Sequence, residues 1–242
     1  MQHARTVLIT GANKGIGYET ARQLGAMGFT ILLGTRNEEK GKDAAAGLAN
    51  EGVNARHILL DVTNQHTIEA ASKKIEEEFG SLDVLINNAG VSLERGVSPS
   101  QLELSVLKET FEINFFGMFA VTRAMLPLLL KSPCGRIVNL SSGLGSLTIN
   151  SDPESAFARF NLLAYNSSKT AVNALTVMLA KEFNNTTLKI NAADPGYTAT
   201  DLNRHTGYRS VEQAAGIVIR LATLPEVGPT GGFFDENGEI PW

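Results

Sequence analysis

Seven short runs rich in Val, Ile, Leu and Thr alternate with longer segments of helical period, and this alternation constrains the fold more than any other feature of the chain. The runs are Thr6–Thr10, Thr30–Gly34, His57–Leu60, Val84–Ile86, Arg136–Leu140, Lys189–Ala192 and Gly232–Phe234. Segments suited to helices lie between them, at 15–27, 38–50, 64–79, 100–131, 160–184 and 210–223. In the third of these, Ile68, Ala71, Lys74, Ile75 and Phe79 form a helical stripe that stops at Gly80. Strands separated by helices pair in parallel, with helices on both sheet faces. The expectation is one doubly wound α/β domain of Rossmann type over 1–242. Its sheet is mostly parallel and seven-stranded, the first six strands forming two βαβαβ halves.

Composition narrows the class. With 43% hydrophobic and 19% charged residues in 242, the chain has a core and is not disordered. A net charge of −4 lacks the basic excess that nucleic-acid binding wants. One cysteine, Cys134 in a Ser-Pro-Cys-Gly turn, excludes an intrachain disulfide and suits a reducing cytoplasm, where it reads as a bystander. His3, His57, His66 and His205 are scattered without metal-ligand spacing, so no metal is expected. The longest apolar run, Met125–Leu130, falls well short of the ~18 residues of a membrane span. The 23 glycines exceed the average share of about 7%. Such an excess suggests close approach of backbone to a ligand, and makes their clustering informative.

The residues with chemistry to offer stand where strands end. Thr10-Gly11-Ala12-Asn13-Lys14-Gly15-Ile16-Gly17 joins the first strand to the first helix. Glycines there let the backbone approach a pyrophosphate, and the helix N-terminus offers N–H donors with a partial positive charge. Gly11, Asn13, Lys14, Gly15, Ile16 and Gly17 are therefore the candidate phosphate-binding residues. An acid ending the second strand would hold a ribose 2′-hydroxyl. Leu33-Gly34-Thr35-Arg36-Asn37 has none, and Arg36 offers the planar fork that suits a 2′-phosphate, with Lys14 as a second cation. Asp61-Val62 follows the third strand, where the aspartate alone reads as a turn cap. Asn87-Asn88-Ala89-Gly90 follows the fourth, its small Ala-Gly pair leaving room for a ligand beside the backbone.

Tyr165 and Lys169 lie four apart on one helix face, so the ammonium can favour the phenolate and lower the tyrosine pKa. Alone, the pair reads more readily as an exposed helical couple. Ser141-Ser142 ends the fifth strand, where a hydroxyl can hold a substrate carbonyl. Asn114 sits in the apolar run Phe111–Gly117, where a buried amide needs partners and can equally be a satisfied core residue. Pro195-Gly196-Tyr197-Thr198-Ala199-Thr200 follows the sixth strand.

Taken in order, T-G-x-x-x-G-I-G, N-N-A-G, Asn, Ser, Y-x-x-x-K and P-G across residues 10–200 resemble the short-chain dehydrogenase/reductase family. In that family a basic residue before the second glycine and another after the second strand go with NADP, so the implied cofactor is NADPH/NADP+. The resemblance sets Asp61 at the adenine edge with Val62 packed nearby, and Asn88, Ala89 and Gly90 beside the cofactor. It implies a catalytic set of Asn114, Ser142, Tyr165 and Lys169. Ser142, more than its neighbour Ser141, would hold the carbonyl oxygen and Tyr165 would pass the proton. Lys169 would bind the nicotinamide ribose and tune Tyr165, and Asn114 would hold a water that extends the proton path. Pro195 and Gly196 would flank the nicotinamide, with Thr198 and Thr200 bonding its carboxamide or phosphates, although the family often carries Val or Ile in place of Thr198.

The 22 residues between Ser142 and Tyr165 are more than most short forms of the family carry. This insertion, 145–162, resembles the monomeric carbonyl-reductase branch, as do Ala12–Gly17 and Trp242. It is expected to cover part of the surface that other members use for assembly, giving a monomer or dimer rather than a tetramer, while 198–210 forms a substrate-side loop. The implied activity is reversible, NADPH-dependent reduction of a ketone or aldehyde to an alcohol, with no nucleic-acid or membrane partner. An NAD-preferring alcohol dehydrogenase competes with it, against Arg36 and Lys14. So does a catalytically silent dinucleotide sensor, against Asn114, Ser142, Tyr165 and Lys169. The pocket-lining stretches 91–99, 143–164 and 201–210 name no substrate.

Overall fold

A computed structural model describes residues 4–94 and 96–242. His3 and, within the stretch 91–99, Arg95 lie outside the described residues. The strands are β1 (Thr6–Thr10), β2 (Thr30–Thr35), β3 (Ala55–Leu59), β4 (Val84–Asn87), β5 (Arg136–Leu140), β6 (Lys189–Ala193) and β7 (Phe233–Phe234). They form one sheet in the order β3-β2-β1-β4-β5-β6-β7. Every neighbouring pair is parallel, in line with the expected seven-stranded, mostly parallel sheet.

Helices α1 (Gly15–Ala26), α2 (Glu38–Asn50), α3 (Gln65–Phe79), α4 (Leu104–Phe111), α5 (Met118–Leu129), α6 (Leu147–Ser151), α7 (Leu163–Glu182) and α8 (Val211–Ala222) cover the two faces. Strands β1, β2, β4 and β5 are buried along their whole length, as strands covered on both sides must be. Side chains alternate between faces along a strand. Val7, Ile9, Ile31 and Leu33 accordingly meet Leu24 of α1, Leu48 of α2 and Leu221 of α8. Leu8, Leu32, Leu85 and Ile137 meet Ile75 of α3, Met125 of α5 and Leu179 of α7. From β1 the chain moves outward to β2 and β3, then returns to β4 on the other side. That reversal opens a crevice beyond the C-terminal ends of β1 and β4, where such sheets bind ligands.

Several boundaries differ from the sequence reading. Strand β3 starts two residues earlier, at Ala55, paired with Ile31 of β2. The 100–131 segment opens as a 3-10 turn, Pro99–Gln101, and regular helix begins only at Leu104. Between α4 and α5 the helix widens into a π turn, Glu112–Gly117, so that Leu104–Leu129 runs on as one rod. By length and composition alone this rod could cross a membrane; its buried Val121, Met125, Leu128 and Leu129 pack on the sheet, as in a core helix. Inside the insertion lies α6, which the periodicity did not reveal; the Ser146 hydroxyl caps it by accepting the Ile149 N–H at 3.1 Å.

Candidate active site

The glycine loop is shaped by two neighbours. Gly11 has φ +65°, and a Cβ there would stand 3.0 Å from the Ala89 backbone. Gly17 lies within α1, but its Cβ would stand 2.5 Å from Asn88 Nδ2. That amide donates to the Thr10 and Gly11 carbonyls at 2.8 and 3.2 Å, while Thr10 Oγ1 accepts the N–H groups of Asn88 and Ala89, both at 3.0 Å. The Asn-Asn-Ala-Gly turn thus braces the glycine loop from below. No side chain caps α1, so its first-turn N–H groups remain available to an anion.

A cleft of about 840 Å³ runs from Arg36 and Asp61 past Gly15 and Gly90 to Tyr165 and Lys169. Gly11, Asn13, Lys14 and Ile16 border it on the side of β1, and Val62, Asn88 and Ala89 on the side of β4. Pro195 and Thr200 border it from the loop after β6. Asp61 also closes its own turn, accepting the Thr63 N–H and hydroxyl at 3.0 and 2.8 Å, so the capping and the cleft-lining readings both hold. Arg36 lines a second hollow of about 450 Å³ with Thr63 and Lys108.

Lys14 and Thr198 both have partners within the chain. The Lys14 ammonium, on the border of the cleft, pairs with Asp201, which also accepts from His205 at 2.7 Å. Lys14, with His205 second, holds the Asp201 carboxyl below its usual range. Thr198 is buried, and its hydroxyl donates to the Pro195 and Gly196 carbonyls at 3.1 and 3.2 Å. Gly196 has φ +72° and donates its N–H to Asp194 Oδ1 at 2.9 Å.

At the far end of the cleft, Lys169 Nζ lies 5.7 Å from the Tyr165 ring centre and donates to the Leu140 carbonyl at 2.7 Å. Ser142 stands near enough to Tyr165 to favour its phenolate, and its Oγ accepts the Leu144 N–H at 3.2 Å. Ser141 borders the cleft, but its hydroxyl is engaged by Asn173 at 2.6 Å. Asn114 lies in the π turn, wholly buried. Its Oδ1 accepts the Val91 N–H at 2.8 Å, and its Nδ2 donates to the Val91 carbonyl and to Ser168 Oγ at 2.9 and 3.0 Å. Asn114 is thus a satisfied core residue that still reaches the site: a Cβ on Gly90 would stand 3.4 Å from its Oδ1 and 3.5 Å from Lys169 Nζ.

The electrostatics reverse one expectation. Burial, and then the charge of Asp194, push the Tyr165 phenol up to about 12, with Ser142 opposing. The expected lowering by the ammonium does not prevail, because burial penalises the phenolate more. Burial also pushes Lys169 down to about 8, with Asp194 opposing.

Two acids escaped the sequence reading. Asp194 directly precedes the Pro-Gly turn and is held above the usual carboxylate range by burial. Glu94 is buried, and its Oε2 accepts the Tyr165 N–H at 2.8 Å, capping the start of α7 where Leu162 offers no side-chain cap. An acid ending the apolar strand Lys189–Ala193 was a readable signal; Glu94, in an irregular loop, gave none. Among the described residues no three His, Cys, Asp or Glu side chains cluster to hold a metal ion.

The family model for short chain dehydrogenases matches residues 5–209. A short-chain dehydrogenase of Penicillium roqueforti is 37% identical over 223 residues, covering 90% of this chain and 88% of its own. Carbonyl reductase 1 (NADPH) of Mus musculus is 31% identical over 282 residues, with 100% of both chains covered. The crystal structure of NADPH-bound carbonyl reductase from chicken fatty liver superposes with a TM-score of 0.86 at 26% identity, over 99% of each chain.

Proposed function

Because the chain belongs to the short-chain dehydrogenase/reductase family, we propose that it is an NADPH-dependent carbonyl reductase, interconverting a small-molecule ketone or aldehyde and its alcohol. One observation carries the reading: Tyr165 and Lys169 stand at one end of a cleft whose other end holds Arg36, with the free N-terminus of α1 between. The residues present fit a dinucleotide, since the cleft of about 840 Å³ passes the α1 N-terminus, which no side chain caps, between Arg36 and Asp61 at one end and Lys169 at the other. The α1 N–H groups would hold its pyrophosphate, Arg36 its 2′-phosphate, Asp61 and Val62 its adenine, and Lys169 its nicotinamide ribose. When bound, NADPH supplies the hydride.

The chain's own groups handle the oxygen. Ser142 would hold the carbonyl, and the nearby Tyr165 hydroxyl would donate the proton as that oxygen gains charge. With its pKa near 12, Tyr165 carries its proton at neutral pH, the form that reduction requires. Alcohol oxidation needs the phenolate and is favoured by alkaline pH. We take the protein to act on diffusible substrates in the reducing cytoplasm, as a monomer or dimer, without nucleic-acid or membrane partners. An NAD-preferring alcohol dehydrogenase is the second reading, favoured by the diversion of Lys14 to Asp201, which leaves Arg36 alone to argue for the 2′-phosphate.

Oxidation of NADPH and NADH over a panel of ketones and aldehydes tests the reading. Tyr165→Phe is expected to lower kcat by about 10²–10⁴-fold with little change in NADPH affinity; unchanged turnover removes Tyr165 as the acid. Arg36→Ala is expected to lose about 1.5–3 kcal/mol of NADPH binding and little of NADH binding. Equal losses, or a wild-type preference for NADH, favour the second reading.

A further inference from the structure

Two strands, β4 and β5, stand between β1 and β6, yet the loop that leaves β6 comes back to the glycine loop that follows β1. It spans about 14 Å, three strand spacings, across the crevice between β1 and β4. The loop is tied at its base, where the Ala199 N–H donates to the Arg209 carbonyl at 2.9 Å and the Arg209 N–H to the Tyr197 carbonyl at 3.2 Å. Its tip holds itself together. Asn203 Oδ1 accepts the Thr200 N–H at 3.2 Å, and the His205 N–H donates to the Thr200 carbonyl at 2.8 Å. Arg204 and His205 have φ of 56° and 58°, the two non-glycine residues in the left-handed region among the described residues. Such conformations are unfavourable for residues with a Cβ and cluster at functional segments. The tip meets the glycine loop at Asp201, which pairs with Lys14 and lies 2.7 Å from His205 Nε2. Beside that pair, a Cβ on Gly15 would stand 3.6 Å from Thr200 Cγ2, an ordinary contact without interlocking. Among the described residues the Lys14–Asp201 pair is the one polar link between 10–17 and 199–207. Both partners border the cleft, and both are more than half exposed.

We propose that Asp201 is a positioning residue for cofactor exchange: through Lys14 it clasps the loop after β6 across the crevice, and the opening of that clasp sets how fast a dinucleotide enters and leaves. The inference rests on the reading of the cleft as a dinucleotide site. The pair joins opposite sides of the cleft, so it parts when a long ligand passes between the glycine loop and the tip. Exposure makes the link releasable. A pair open to water contributes little and is weakened by salt, whereas a buried brace is screened much less. Because the tip is bonded to itself, it swings on its tied base as a unit once the one ion pair breaks.

The test follows the binding and release of NADPH and of NADH by stopped-flow fluorescence, without substrate, in wild type, Asp201→Asn and Asp201→Glu. Asparagine removes the charge at nearly unchanged shape, and glutamate restores it. Asp201→Asn is expected to bind and release both dinucleotides about two- to fivefold faster, with dissociation constants nearly unchanged. Asp201→Glu is expected to release them nearly as slowly as wild type, and the difference from Asp201→Asn to close as salt screens the pair. The sign separates a clasp from simple competition. Loss of an anion that did no more than occupy Lys14 would free the ammonium for phosphate, and release would slow. Slower or unchanged release in Asp201→Asn therefore overturns the proposal. So does a difference that high salt leaves undiminished, which marks a disrupted loop rather than a lost ion pair. The two readings fail in different ways. If neither dinucleotide binds, the functional reading falls and this inference with it. If NADPH binds, is oxidised, and leaves wild type and Asp201→Asn at one rate, this inference alone falls.

Discussion

At Lys169 the fold holds an ammonium that is almost wholly buried at the end of the cleft, and that has a measurable cost. Its pKa falls from the ordinary 10.5 to about 8. At about 1.36 kcal/mol per pH unit the difference is about 3 kcal/mol, offset in part by the carbonyl of Leu140 that a truncated side chain would leave unpaired. Lys169→Met is therefore expected to be inactive yet more stable at pH 7, by about 1–2 kcal/mol in denaturant unfolding. The sign reverses with pH. Between about 8 and 10.5 the unfolded chain binds more protons at this residue than the folded one, so wild-type stability rises through that window and the gap to the variant closes. Tyr165 acts oppositely from 10 towards about 12, where the folded state holds the proton and stability is lost as pH rises, in both proteins. A gap that stays constant from pH 7 to 10 would contradict the burial argument. The sequence revealed Tyr165 and Lys169 because four-residue spacing on a helix is a local fact. It did not reveal which way their pKa values move, because burial depends on residues far along the chain. The pairing of Lys14 with Asp201 was hidden for the same reason, the two being 187 positions apart.

Among the elements, those buried on both faces were legible and those at the margin were not. Strands β1 and β5 run as unbroken buried segments and matched their expected bounds. The edge strand β3 is half exposed and mixes Arg56 and His57 with apolar residues, so its start was set too late. Helix α6, at five residues, is too short to show a period. The glycine loop was legible because glycine spacing reports directly on backbone geometry, and Gly17 tests how tightly that geometry is held. Alanine in a helix gains about 1 kcal/mol over glycine. At Gly17 its methyl would meet Asn88 Nδ2 at 2.5 Å and press on the amide that ties Asn88 to Thr10 and Gly11. The clash is expected to prevail, with Gly17→Ala destabilised by about 1–3 kcal/mol in denaturant unfolding and weakened in NADPH binding. A more stable variant would show that the brace yields.

Across the whole molecule, the insertion folds back on the site more than it covers the surface. Asn150 accepts from Asn166 at the start of α7 at 3.3 Å, the Thr148 N–H donates to the Trp242 carbonyl at 3.0 Å, and Trp242 stacks on Phe233. Phe116, Phe119 and Met178 remain exposed. Light scattering on a sizing column is expected to give a monomer or dimer, and a stable tetramer would count against the role assigned to 145–162. Chain length itself matters at one further place. A π turn is an α-helix carrying one residue too many, and Glu112–Gly117 places that surplus around Asn114. Deleting Phe115 would let the rod close into regular helix while turning Leu104–Phe111 by about 100° against α5. The helix would gain regularity, but Asn114 would lose its register with Val91 and Ser168. A one-residue deletion, changing no side chain at the reaction centre, is thus expected to abolish turnover while helical content by circular dichroism holds.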